Sequence, residues 1–147
     1  MTLLRTMDLT ATGMSAQRTR MNVAAMNLAN RSTTRTAEGG PYRRREVVLE
    51  AVPMEGSFSS ALSGATGQKD EPLGVKVATI QESTDEPILV YDPGHPDADA
   101  AGYVAMPKVN SIAEMVDLMG AARAYEAGTS VLSTLKSMAD QALRIGR

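Results

Sequence analysis

Three carboxylates and the chain's single histidine fall within eight residues: Asp92, Pro93, Gly94, His95, Pro96, Asp97, Ala98 and Asp99. Oxygen-rich loops bind calcium, and a histidine beside carboxylates ligates zinc or acts as a general base. The spacing matches no established metal loop, and two prolines limit how far this backbone can wrap an ion. Asp, Pro and Gly are also what tight turns are made from. The segment is therefore read as a structural turn, and no metal, cofactor or catalytic residue is expected. Arg43, Arg44 and Arg45 form the one basic triplet. A nucleic-acid surface would be broader or interleaved with aromatics, and Glu46 and Glu50 follow at once, so a charged strand edge that resists wrong pairing fits better. No phosphate loop, dinucleotide fingerprint or nucleophile with a base is present. These residues point away from an enzyme.

The elements around them explain more. Met7, Met14, Met21 and Leu28 recur every seven residues, with Leu4, Ala11, Arg18 and Ala25 as a companion line. This is the alternation of a coiled-coil seam, broken only by Arg18. Near the other end Leu118, Tyr125, Leu132 and Ala139 make one line, and Ala121, Gly128, Leu135 and Ala142 another. Methionine fills irregular gaps and accepts several packing environments, while Ala and Gly let a partner helix approach closely. Helices are predicted over about residues 3–30 and 111–145, roughly 40 Å and 50 Å long at 1.5 Å per residue. Both seams are expected to be assembly interfaces, with the helices ordering fully only when neighbours bury them. That burial has to offset about 1–2 kcal/mol of ordering entropy per backbone residue.

With 147 residues, one Phe, four Tyr and no Trp, the chain has few large side chains to anchor a compact core. An isolated copy should be marginal and gain stability by association. The net charge of −2 is unevenly spread: residues 1–50 carry +4, residues 51–108 carry −6, and residues 109–147 carry none. A basic N-terminal part and an acidic middle would attract each other between copies. The chain lacks Cys, so disulfides and thiolate metal sites are excluded. No apolar run reaches membrane-spanning length, and the first twenty residues lack the pattern of a cleaved secretory signal. The protein is expected either to stay in the cytoplasm or to leave by a route without such a signal.

Between the helices, the polar run Asn30 to Thr36 and the break at Glu38, Gly39, Gly40 and Pro41 lead into a strand from Tyr42 to Val52, closed by Pro53. Residues 55–72 have the composition of a flexible loop. A second strand uses Val75, Val77 and, after a slip at Thr79, Ile80; a third runs Ile88–Tyr91; a fourth uses Tyr103, Val104 and Met106 and ends at Pro107. Together they suggest one small antiparallel unit. Ser111 with Glu114 has the spacing of a capping box, and Asn110 is an equally good cap. The class is α+β: residues 1–36 supply the N-terminal helix and its polar connection, 37–108 a small β-rich middle domain, and 109–147 the C-terminal helix of a coiled-coil-like rod.

Asn27, Leu28, Ala29 and Asn30, followed by Thr33 and Thr34, resemble the N-terminal signature of bacterial flagellar rod, hook and related axial proteins. Thr34 to Thr36, Glu38 to Arg43, Tyr91 to Asp99, Gly102 to Val104, Met106, Pro107 and Arg123 to Ala127 are similar to the proximal rod proteins of the flagellar basal body. The resemblance spans nearly the whole chain apart from residues 55–72. One departure is Arg31 and Ser32, where the family commonly continues with a second Asn-containing repeat.

The resemblance implies a structural subunit of the periplasmic rod, the flagellar drive shaft, exported through the flagellar type III apparatus without a cleaved signal peptide. It implies helix packing into a tubular array that transmits torque. The implied partners are other rod proteins of the FlgB, FlgF and FlgG types, the rod-base protein FliE, copies of the chain itself and the export apparatus, with no nucleic acid and no membrane insertion. A rival from another class is a cytoplasmic coiled-coil adaptor, whose helices close into a hairpin while the middle binds a partner.

Overall fold

The structure, a computed structural model, describes residues 3–54 and 72–145. The order is helix α1 (Leu3–Ala29), strands β1 (Arg45–Pro53), β2 (Leu73–Glu82), β3 (Ile88–Tyr91) and β4 (Tyr103–Met106), and helix α2 (Ser111–Ile145). Two long helices with a small antiparallel β region between them make the α+β class expected from the seams. The loop predicted at 55–72 lies, apart from Pro72, outside the described residues.

Helix α1 is rich in hydroxyls that bond back to its own carbonyls: Thr10 Oγ1 donates to Thr6 O (2.8 Å), Thr12 to Leu9 O (2.8 Å) and Thr19 to Ser15 O (3.2 Å). It stops where Asn30 takes over the last turn, its Nδ2 donating to Met26 O at 2.9 Å and its Oδ1 accepting from Thr33 Oγ1 at 3.2 Å. Helix α2 begins at Asn110, whose Oδ1 accepts from the N–H groups of Ile112 (3.0 Å) and Ala113 (3.3 Å). Asn110 is thus the cap and Ser111 the first helical residue. The Glu114 carboxylate is engaged elsewhere.

The predicted single antiparallel unit is instead two separate two-stranded ribbons, β1–β2 and β3–β4. The segment Ser83 to Pro87 divides them, with Ser83 N turned back to Arg44 O at 2.7 Å. In the first ribbon Val48 faces Thr79 and Leu49 faces Val77, so Ala78 is an extra residue. This β-bulge is the physical form of the slip in alternation at Thr79. That ribbon lies against α1, and Thr12 Oγ1 accepts a bond from Val75 N at 3.3 Å. Among the described residues the β3–β4 ribbon packs on no other helix or strand. It is held through its loops: Thr34 Oγ1 donates to Asp97 Oδ2 at 2.8 Å, and Val104 is fully buried.

The main packing is α1 against α2. Residue numbers rise along one helix as they fall along the other, since Asn27 meets Glu114 and Met14 meets Gly128, so the pair is antiparallel. On that register Leu3 lies near residue 138, and α2 runs on past it for roughly 10 Å. Among the described residues only Ala16, Val23, Ala24, Val104 and Ala121 are buried apolar side chains, while eighteen large ones are exposed. The fold leaves most of its apolar surface uncovered.

Candidate functional site

The best-built cluster in the molecule joins the two helices to the start of β1. Asn27, on α1, is 1% exposed and uses its whole amide. Its Nδ2 donates to Arg45 O (2.8 Å) and Glu114 Oε2 (2.9 Å), and its Oδ1 accepts from Tyr42 Oη (2.9 Å) and Arg45 N (2.9 Å). Glu114, on α2, is 2% exposed, and its other oxygen receives Arg44 Nε at 2.7 Å. A carboxylate this deep is tolerable only when paired and hydrogen-bonded, as it is here. The bond to Glu114 raises the Arg44 pKa further, keeping the guanidinium charged. Burial lifts the Tyr42 pKa above the ordinary phenol value, with Arg45 opposing and Glu82 and Glu114 reinforcing the shift. Arg45 is tied outward to Glu82 Oε1 by Nη2 (2.9 Å) and Nε (3.2 Å). The cluster is a clasp that fixes the register of α1, β1 and α2 together.

Along the rest of the pair the contact is thin. A Cβ on Gly128 would lie 2.6 Å from Met14 Cγ, so the methionine occupies the space that any side chain there would need. Met7, Met14, Met21 and Leu28 are partly buried. So are Leu118, Tyr125, Gly128, Leu132, Leu135 and Ala139, and Ala121 is buried. By contrast Leu4, Ala11, Arg18 and Ala25 are exposed along α1, and Ala142 is exposed on the overhanging end of α2. A further apolar group, Ile112, Met115, Val116 and Met119, stands exposed on α2 at the i, i+3, i+4, i+7 spacing of one helix face.

Comparison with known proteins bears directly on these two helices. Residues 7–35 match the family model described as flagella basal body rod protein, and residues 100–145 match flagellar basal body rod FlgEFG protein C-terminal. Over the full length, the chain is 43% identical to flagellar basal-body rod protein FlgC of Escherichia coli O157:H7, with 100% of both chains covered. It is likewise 43% identical to FlgC of Bacillus subtilis, with 100% of both covered, and 41% identical to FlgC of Borreliella burgdorferi, covering 99% and 98%.

The chain belongs to the FlgC family. It is a structural subunit of the flagellar basal-body rod, and its family implies a non-enzymatic role. The clasp bridges the two matched segments, since Asn27 lies in the first and Glu114 in the second. In the segment Asn27 to Thr33, Asn27 ties the helices together, Ala29 is an exposed end residue, and Asn30 with Thr33 closes the helix. Thr34 reaches Asp97 and so anchors the β3–β4 ribbon.

The residues first considered for chemistry are occupied structurally. Asp92 Oδ1 accepts from Gly94 N (3.2 Å), His95 Nδ1 from Asp97 N (3.1 Å), and Asp99 Oδ1 from Ala101 N (2.9 Å) and Tyr103 N (2.8 Å). Gly102 closes this turn at φ +84°, where a Cβ would meet the Tyr91 ring at 2.9 Å. Among the described residues no three His, Asp or Glu side chains are grouped to hold a metal ion, and no helix is long and apolar enough to cross a membrane. Sequence reasoning placed Arg44 on a charged strand edge and Glu114 in a capping box, and so missed their meeting. One signal was available: Glu114 falls seven residues before Ala121, on the inward line of α2, where an ionised side chain needs partners.

Proposed function

We propose that this chain builds the proximal rod by presenting its clasped helix pair to neighbours, with the outer faces of both helices buried between subunits of a tubular helical array that passes torque along the shaft. The observation that carries this reading is the exposed quartet Ile112, Met115, Val116 and Met119, an apolar helix face left open beside a buried and fully bonded clasp. On the other helix Leu4, Ala11 and Ala25 are open as well, and Ala142 is open where α2 runs past the end of α1. Met7, Met14, Met21, Leu28, Leu118, Ala121, Tyr125, Gly128, Leu132, Leu135 and Ala139 serve assembly by shaping the pair. The partners are other rod proteins of the FlgB, FlgF and FlgG types, the rod-base protein FliE and further copies. The chain reaches the periplasm through the flagellar type III apparatus without a cleaved signal. A filament follows from head-to-tail contacts that do not close.

The test is to track a tagged chain carrying Val116→Asp or Met119→Asp in cells lacking the native copy. Export should persist, while the tagged chain disappears from isolated basal bodies and motility is lost. Normal incorporation of both variants would refute the assignment of this face.

A further inference from the structure

We propose that the exposed face of the β3–β4 ribbon carrying Leu89 and Tyr91 seats in the groove around Arg18 between α1 and α2 of a second copy, with Asp92 facing that arginine. This deepens the assembly reading above and rests on it. One side of the ribbon is seated on the connection after α1, where Val104 is buried, and among the described residues it packs on no other helix or strand; on its open side Leu89 and Tyr91 are 67% and 65% exposed. They share one face, two residues apart, with Tyr103 edge-on to Tyr91 at a ring separation of 5.3 Å. A tyrosine pair with an adjoining leucine, rigid and uncovered, has the composition of an interface anchor.

The receiving surface lies on the helices. A groove of about 200 Å³ is lined by Ala11, Met14, Ser15 and Arg18 of α1 and by Tyr125 and Leu132 of α2. Its walls are small or apolar, and Arg18 is its one charge. The arginine that interrupts the companion line of the α1 seam is exposed and has no ion-pair partner among the described residues.

Charge selects the occupant. Residues 82–99 hold six carboxylates and no Lys or Arg. Glu82, Asp85 and Asp97 are paired with Arg45, Lys108 and Arg35. Glu86, Asp92 and Asp99, flanking the two strands, have no cation beside them among the described residues. A guanidinium at the groove's edge can pair with Asp92 and lie on the Tyr91 ring, two attractions that fix orientation as well as affinity. Since among the described residues the ribbon packs on neither helix of its own chain, the complementary pair of surfaces is satisfied between copies.

The cysteine-free chain makes the contact directly testable. Two differently tagged full-length chains, one with Leu89→Cys and one with Ser15→Cys, are co-expressed, and thiol cross-linking is read in isolated basal bodies. The expected product is a mixed L89C–S15C adduct. Adding Arg18→Glu to the S15C chain should lower its yield roughly tenfold, and Asp92→Arg on the L89C chain should restore it. Rod-incorporated chains that give no mixed adduct, that link L89C to another protein or to a Val116→Cys copy, or whose yield ignores Arg18→Glu would overturn the docking while leaving the rod role intact. Absence of the unsubstituted chain from basal bodies would overturn both.

Discussion

Replacing Asn27 by alanine removes four hydrogen bonds at once and leaves one oxygen of a buried carboxylate without its donor. The bond to ionised Glu114 is worth about 1.5–3 kcal/mol, and the three to Arg45 and Tyr42 about 1 kcal/mol each. Tyr42 and Arg45 are only partly buried, so water can recover part of their loss. A net destabilisation of about 3 kcal/mol follows, a hundredfold or so in the folding equilibrium. The assay is urea unfolding of the purified full-length chain by far-ultraviolet circular dichroism, with Asn30→Ala, whose side-chain bonds are local, as comparison. Asn27→Asp supplies a second arm: it keeps the volume but sets a carboxylate where the amide now donates to Glu114 at 2.9 Å. At neutral pH two like charges so close should make it less stable than the alanine variant. A loss below about 1 kcal/mol for the alanine variant, or an aspartate variant as stable as the original chain, would refute the clasp.

Two more outcomes follow from the geometry. Gly120→Ala should stabilise the chain by about 0.5–1 kcal/mol, because nothing lies near its Cβ position, whereas Gly128→Ala should gain nothing or lose up to about 2 kcal/mol against Met14 and recover the gain in a Met14→Ala background, all read as urea midpoints. Tyr42 has a folded pKa above its ordinary 10.0, so its contribution is complete below that pH and is lost as pH rises through the folded value, because the unfolded chain ionises first. A pH series of unfolding midpoints across about pH 9 to 11 should therefore fall more steeply for the original chain than for Tyr42→Phe.

The helices were legible because seven-residue spacing is a local property, and every residue on the second seam except Ala142 is partly or wholly buried. On the first seam the methionine line is partly buried against α2, while Leu4, Ala11 and Ala25 are exposed, a distinction that depends on where α2 lies. The strands were visible from β-branched runs between prolines, yet nothing local told that they pair as two ribbons. Least legible was the clasp. Asn27 stood out only through family resemblance, and its partners are 15 to 87 positions away in the chain. Glu114 satisfied a helix-start pattern equally well, and only the fold shows that Asn110 takes that task alone.

The clasp sits at one end of the helix pair, and the remaining length is held by methionine, leucine, alanine, glycine and Tyr125, with no comparable cluster of hydrogen bonds among the described residues. Hydrogen bonds resist axial slip, whereas such side chains slide and re-seat at little cost. A pair pinned this way yields under strain by swinging about Asn27 and not by shearing. The far tips can splay to suit each neighbour in a shaft whose members are unlike, while the stagger between the helices stays constant from one subunit to the next.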